Sequence, residues 1–307
     1  MKKLRMLLCS FIIASSVTAY AADELGKGAV NWNEGYIEAV GYGTSKSTGN
    51  RGKDRINARR AAEVSAQRAL LEVIKGVHIT SESTVQDSML KDDHIRTRVD
   101  GVIKGAQTMD EKVEWEDSSP IATVKMRICL NGGVSECKGT SLVNVLNLEK
   151  RTDPPFVPKK MLSNIEKDNK ENISHNPQHT KEKARSFVCD FTKPVTGIVF
   201  ALEGRYFERS LLPVIVTQAD SEMVTVYSAK IIKPSVIRTF GAVRYADTVD
   251  SAIKSPQLGG NILVVPVSDI TRDNMVLISA SDAATIKETL AHGNDYLSEA
   301  KVVISVK

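Results

Sequence analysis

From Ile56 to Lys75, Ala58, Ala62, Ala66, Ala69 and Val73 recur at spacings of 4, 4, 3 and 4, and Leu70 and Ile74 widen the stripe. Arg59, Arg60, Glu63, Gln67, Arg68 and Glu72 take other positions. This is the period of an amphipathic helix. Alanine keeps its buried side shallow, so the helix predicts close packing against a sheet. Asp54 is a candidate N-cap, and Gly76 stands where a helix of this length would stop.

Strand patterns surround the helix. Tyr36, Glu38, Val40 and Tyr42 alternate with Ile37 and Ala39, and a Gly-, Ser-, Thr- and Lys-bearing loop is expected from Gly41 to Gly52. Val77 and Ile79 open a second strand, and residues 87–100 suggest a short charged helix. Val113 and Trp115 alternate in a segment ending at Glu116, and Asp117 to Pro120 reads as a turn. In the clearest strand Ala122, Val124, Met126, Ile128 and Leu130 share one face, with Thr123, Lys125, Arg127 and Cys129 on the other. The fold class expected is α+β. A first domain over residues 34–148 has a sheet with one long packed helix.

Residues 149–185 hold Pro154, Pro155, Pro158 and Pro177, with nine Lys/Arg and six Asp/Glu, and read as a solvated linker. Apolar patterning returns over residues 186–307, a second α/β or α+β domain. Its expected strands are Val195–Leu202, Pro213–Val216, Met223–Tyr227, Ile262–Val267, Met275–Ile278 and Val302–Val306. Its expected helices are Asp247–Lys254 and Asp282–Ala291, the second with Ser281 as N-cap. The run Leu263-Val264-Val265 predicts a strand covered on both faces.

The first 21 residues have the three parts of a secretory signal. Lys2, Lys3 and Arg5 form a positive head, Met6 to Val17 is an apolar run, and Ala19-Tyr20-Ala21 supplies a cleavage site. Cys9 lies inside the apolar run behind Leu7-Leu8, which argues against lipidation there. Cleavage near Ala21 places the chain in the periplasm or at the outer membrane. Loss of the three basic residues takes the formal net charge from +4 to +1. That balance gives no reason to expect nucleic acid or an acidic membrane surface as partner. No later segment has the ~20 apolar residues of a membrane span.

Export favours disulfides. Cys129 and Cys137 flank Leu130-Asn131-Gly132-Gly133, so a bridge between them would close a short turn, while Cys189 is left as a buried thiol. Signals for chemistry are thin. Gly49-Asn50-Arg51-Gly52-Lys53 stands between strand and helix, but Ser47 and Asp54 replace the glycine and hydroxyl that a phosphate-binding loop requires. His175 and His179 have helical ligand spacing, with Pro177 between them. Glu114 and Glu116 share a strand face, the one carboxylate pair placed for hydrolysis. Trp115 fits a core or sheet-edge position better than a ligand anchor. Neither Gly-x-Ser-x-Gly nor His-Glu-x-x-His occurs. No catalytic, cofactor-binding or metal site is therefore assigned.

The run Gly35-Tyr36-Ile37-Glu38-Ala39-Val40-Gly41-Tyr42-Gly43, then Ala58-Arg59-Arg60-Ala61-Ala62 through Ala69-Leu70-Leu71 and Gly76, ends in the strand Ala122–Leu130. Over residues ~34–131 this order of parts resembles the LPP-twenty lipoprotein family and the related N-terminal domain of flagellar assembly protein T. The resemblance implies an envelope-associated, non-catalytic module whose partners are envelope proteins, flagellar motor or secretion components among them. The leading expectation is a structural or assembly factor acting through protein–protein contacts. The alternative is a periplasmic module binding a small molecule or cell-wall fragment, which a pocket between the domains would favour. The third is a hydrolase using Glu114 and Glu116.

Overall fold

The computed structural model describes residues 27–132, 141–150 and 189–307. The first unit opens with strands β1 (Gly28–Asn31) and β2 (Tyr36–Thr44) and helix α1 (Arg51–Lys75). A hairpin of β3 (His78–Thr80) and β4 (Ser83–Thr84) follows, then α2 (Val85–Lys91) and α3 (Asp93–Lys104). Strands β5 (Gln107–Glu116) and β6 (Ser119–Cys129) and the short α4 (Leu142–Val145) complete it.

The sheet order is β1-β2-β6-β5, antiparallel throughout, and α1 lies across one face. Why the helix lies so close is visible in β2. A Cβ built on Gly41 would sit 2.1 Å from the Ala62 carbonyl oxygen, and one on Gly43 2.2 Å from the Ala62 nitrogen. Glycines on the strand and Ala58, Ala62 and Ala66 on the helix leave backbone against backbone, and all three alanines are buried. Gly41 and Gly43 are thus strand residues, not the start of a loop; the demand for close approach overrides their poor strand propensity.

The helix begins five residues before the expected Ile56. Asn50 is its N-cap, accepting from the Lys53 backbone N–H. Asp54 is instead buried in the first turn, where its carboxylate accepts from the Thr48 backbone N–H and hydroxyl. Gly76 caps the other end at φ −78°, so its left-handed freedom is unused. The charged stretch after β4 makes two helices rather than one, with a Thr84–Asp87 capping box at the first and Asp92 capping the second. Val99, Val102 and Ile103 belong to α3, on whose inner side they are buried.

The second unit contains β7 (Gly197–Ala201), β8 (Ile215–Ala219), β9 (Glu222–Tyr227), α5 (Pro234–Phe240), β10 (Arg244–Ala246) and α6 (Val249–Ile253). Then come β11 (Ile262–Pro266), β12 (Asp269–Ile270), β13 (Val276–Ile278), α7 (Ala280–Ala291) and β14 (Val302–Ser305). One sheet, β10-β14-β7-β11, is all parallel; the other, β12-β13-β8-β9, is mixed. The fold is α+β, with the long-helix sheet followed by a mixed α/β unit, as the patterning predicts. Details differ. The strands buried on both faces are β7 and β14; β11 is an edge strand with Val264 only partly covered. The N-cap of α7 is Ser279, not Ser281. Helix α5 and strand β10 are not marked by the sequence patterning.

The units share one core. Residues of both, from Ile37 and Leu70 to Phe200 and Tyr296, form one continuous buried cluster. The Leu211 N–H donates to the His78 carbonyl at 2.9 Å and the Leu212 N–H to the Ile79 carbonyl at 2.8 Å, so the chain after β7 extends the β3 hairpin. The Tyr245 hydroxyl donates to the Ser210 carbonyl and accepts from its N–H, while Trp32 meets the Tyr245 ring edge-on at 5.3 Å.

Candidate functional site

In open α/β sheets the carboxyl ends of parallel strands are where ligands gather. Here β7 and β14 end beside the first unit. Directly after β7, Glu203 and Gly204 take left-handed backbone (φ 55° and 81°) and turn the chain out of the sheet. The segment Arg205-Tyr206-Phe207-Glu208-Arg209 then crosses to the β3 hairpin. A cleft of about 780 Å³ lies under it, walled by Val30, Trp32, Val73, Val77 and His78 on one side and by residues 204–209 and Val306 on the other.

This segment is held at its far end, by Glu208 and Arg209. The Glu208 N–H donates to Asn274 Oδ1 (3.0 Å), the Asn274 amide donates back to the Glu208 carbonyl (2.7 Å), and Glu208 Oε1 lies 3.0 Å from His78 Nε2. His78 Nδ1 is buried without a hydrogen-bond partner among the described residues. The Arg209 guanidinium sits 5.9 Å from the Tyr245 ring centroid. Tyr206 projects at the mouth, 85 % exposed. The cleft thus pairs an apolar floor with a charged rim of Arg205, Arg209, Glu72 and Glu208. It can take a ligand that brings both an apolar group and charge.

A smaller cleft of about 360 Å³ lies at the β10 edge, between Asn33 and Glu34 of the first unit and α6. Arg244 reaches into it, and burial pulls its guanidinium pKa down. Asn33 donates to Asp247 across it at 2.7 Å.

The residues singled out from sequence are not gathered there. Glu114 and Glu116 are both exposed on β5, with Lys112 Nζ 2.6 Å from Glu114. Trp115 is half-buried on the same edge strand under the Arg51 guanidinium, 4.4 Å from its ring centroid. In the Gly49–Lys53 stretch, residues 51–53 are the first turn of α1, and Asp54 pins the loop before it. Cys129 is disulfide-bonded; Cys137 lies outside the described residues, as do the signal segment, His175, His179 and residues 151–185 of the expected linker. Cys189 is a free, buried thiol whose pKa burial raises. Among the described residues no group of three or more His, Cys, Asp or Glu is arranged to hold a metal ion, and no helix is long and apolar enough to cross a membrane. The segment 205–209 is not among the residues that motif and spacing single out, although two aromatics and two arginines in five residues stand out in a chain with 5 % aromatics.

Residues 197–307 match the family defined by the second domain of Treponema pallidum Tp0624. That match begins at β7 and covers both sheets of the second unit, including its wall of the cleft. No curated protein matches the chain.

Proposed function

We propose that this chain is an exported, non-catalytic envelope protein that holds a partner segment in the cleft between its two units and acts as an assembly factor. The observation that supports it is the cleft itself. It lies at the carboxyl ends of β7 and β14, both units wall it, and Tyr206 stands exposed at its mouth. Exposed aromatics and arginines are the residue types on which binding energy concentrates at protein interfaces. The resemblance of residues ~34–131 to an envelope-associated family supports the compartment.

A photo-crosslinking residue at Tyr206, expressed in intact cells, should capture an envelope protein; motor or secretion components would extend the resemblance to function. Arg209→Glu should remove the adduct, and an unchanged adduct pattern would refute the cleft as the contact. The second reading, a small molecule or cell-wall fragment, is favoured by the apolar floor of Val30, Trp32 and Phe207. It predicts a ligand-induced rise in melting temperature that Trp32→Ala abolishes.

A further inference from the structure

Helix α1 has a second face. Opposite its alanines, at positions spaced by about two turns, stand Lys53, Arg60 and Arg68, all exposed. Between them stand Ile56 and Val64, 60 % and 45 % exposed, the two large aliphatic side chains that the helix leaves in water. Asn57 and Gln67 fill the remaining outward positions of this stretch, and no acidic residue lies among them. Of the flanking acids, Glu63 is engaged by Arg59 at 3.2 Å, and Glu72 is a turn beyond Arg68. Lys53, Arg60 and Arg68 have no ion pair among the described residues. The ridge runs about 22 Å along the helix.

We propose that this ridge docks the protein on a bilayer surface bearing anionic phospholipid headgroups, independently of what the cleft binds. Cations that could have been neutralised in place, as Arg59 is by Glu63 and Glu111, are left open here. Their ligand must therefore be anionic. The outer face of a helix is convex, and a convex line meets a plane. A lipid surface brings a phosphate to each cation without demanding a fixed geometry, and the aliphatics between them enter the headgroup region. The near-neutral net charge does not oppose this, because the attraction is felt within a Debye length of about 8–10 Å.

The test is co-sedimentation of the full mature chain with vesicles of phosphatidylglycerol and phosphatidylcholine, against phosphatidylcholine alone. Binding is expected only with the anionic vesicles and should fall as salt rises. At roughly five-fold per cation, the triple variant K53Q/R60Q/R68Q should bind about 100-fold more weakly. A control triple, K254Q/R272Q/K301Q, changes net charge equally elsewhere and should bind like wild type. I56S/V64S should weaken binding without changing its salt slope. Thermal unfolding of each variant checks folding, which these side chains, Lys301 half-buried and the others exposed, are expected to leave unchanged. Equal loss in both triples, equal binding to neutral vesicles, or suppression by millimolar inorganic phosphate at matched ionic strength would each overturn the assignment.

Discussion

A methyl group added at position 41 or 43 has nowhere to go, because helix backbone stands about 2.2 Å from where it would be built. Gly49 presents the opposite case, a left-handed backbone (φ 79°) with open space around it. Packing should therefore outweigh backbone preference. Gly41→Ala is expected to cost ~3 kcal/mol or more, the upper range for overpacking, and Gly49→Ala about 1 kcal/mol, read by urea unfolding. Asp54→Ala should cost ~1–3 kcal/mol by leaving Thr48 unpaired. Glu38 gives a pH signature. Burial pushes its carboxyl up, but hydrogen bonds and charge from Lys125 and Arg127 outweigh that and hold it below its ordinary value of 4.5. A group depressed in the folded state stabilises above its unfolded value, and that contribution is lost as pH falls through the folded one. Wild type should thus lose stability relative to Glu38→Gln as pH drops below about 4.5. Parallel curves would mean that Glu38 adds nothing and that the Arg127 guanidinium, 3.7 Å from the Tyr36 ring centroid, holds this sheet face without it.

At the scale of elements, periodicity made α1 and most of the strands legible, because each is long enough to repeat its pattern. Helix α5 has seven residues and β10 three, too few to repeat a period, and neither has the continuous apolar run that marks the equally short β13. The extra first turn of α1 was hidden for another reason: Gly52 and Lys53 look like loop, and only Asn50 as cap reveals the helix. The seam between β3 and residues 210–212 is a pairing across more than 130 residues, which no local pattern encodes. Tyr245→Phe should weaken it, since the Ser210 N–H and carbonyl would both lose a buried partner, at ~1–3 kcal/mol each. The Cys129 bridge belongs to this scale too. Non-reducing peptide mapping should recover Cys129 joined to Cys137; recovery of Cys137 as a free thiol would refute the pairing.

At the scale of the molecule, the two units are joined by packing. One buried cluster runs through both units, so heat should unfold them in a single transition with equal calorimetric and van't Hoff enthalpies. Two resolved transitions would mean that the seam contributes little. The chain's own sequence determined the elements: alanine period, strand alternation and capping residues act over a few neighbours, and they fix α1, β6, β7 and β14 wherever these end up. It also carried both faces of α1, but averaging charge over the whole chain concealed the basic one. What the tertiary structure decided is which ends and edges meet. The glycines of β2 acquire their purpose only against Ala62, and His78 meets Glu208 only because the chain leaving β7 pairs with β3. The cleft arises from that docking, because burying the shared apolar surface brings together two walls that lie far apart in sequence.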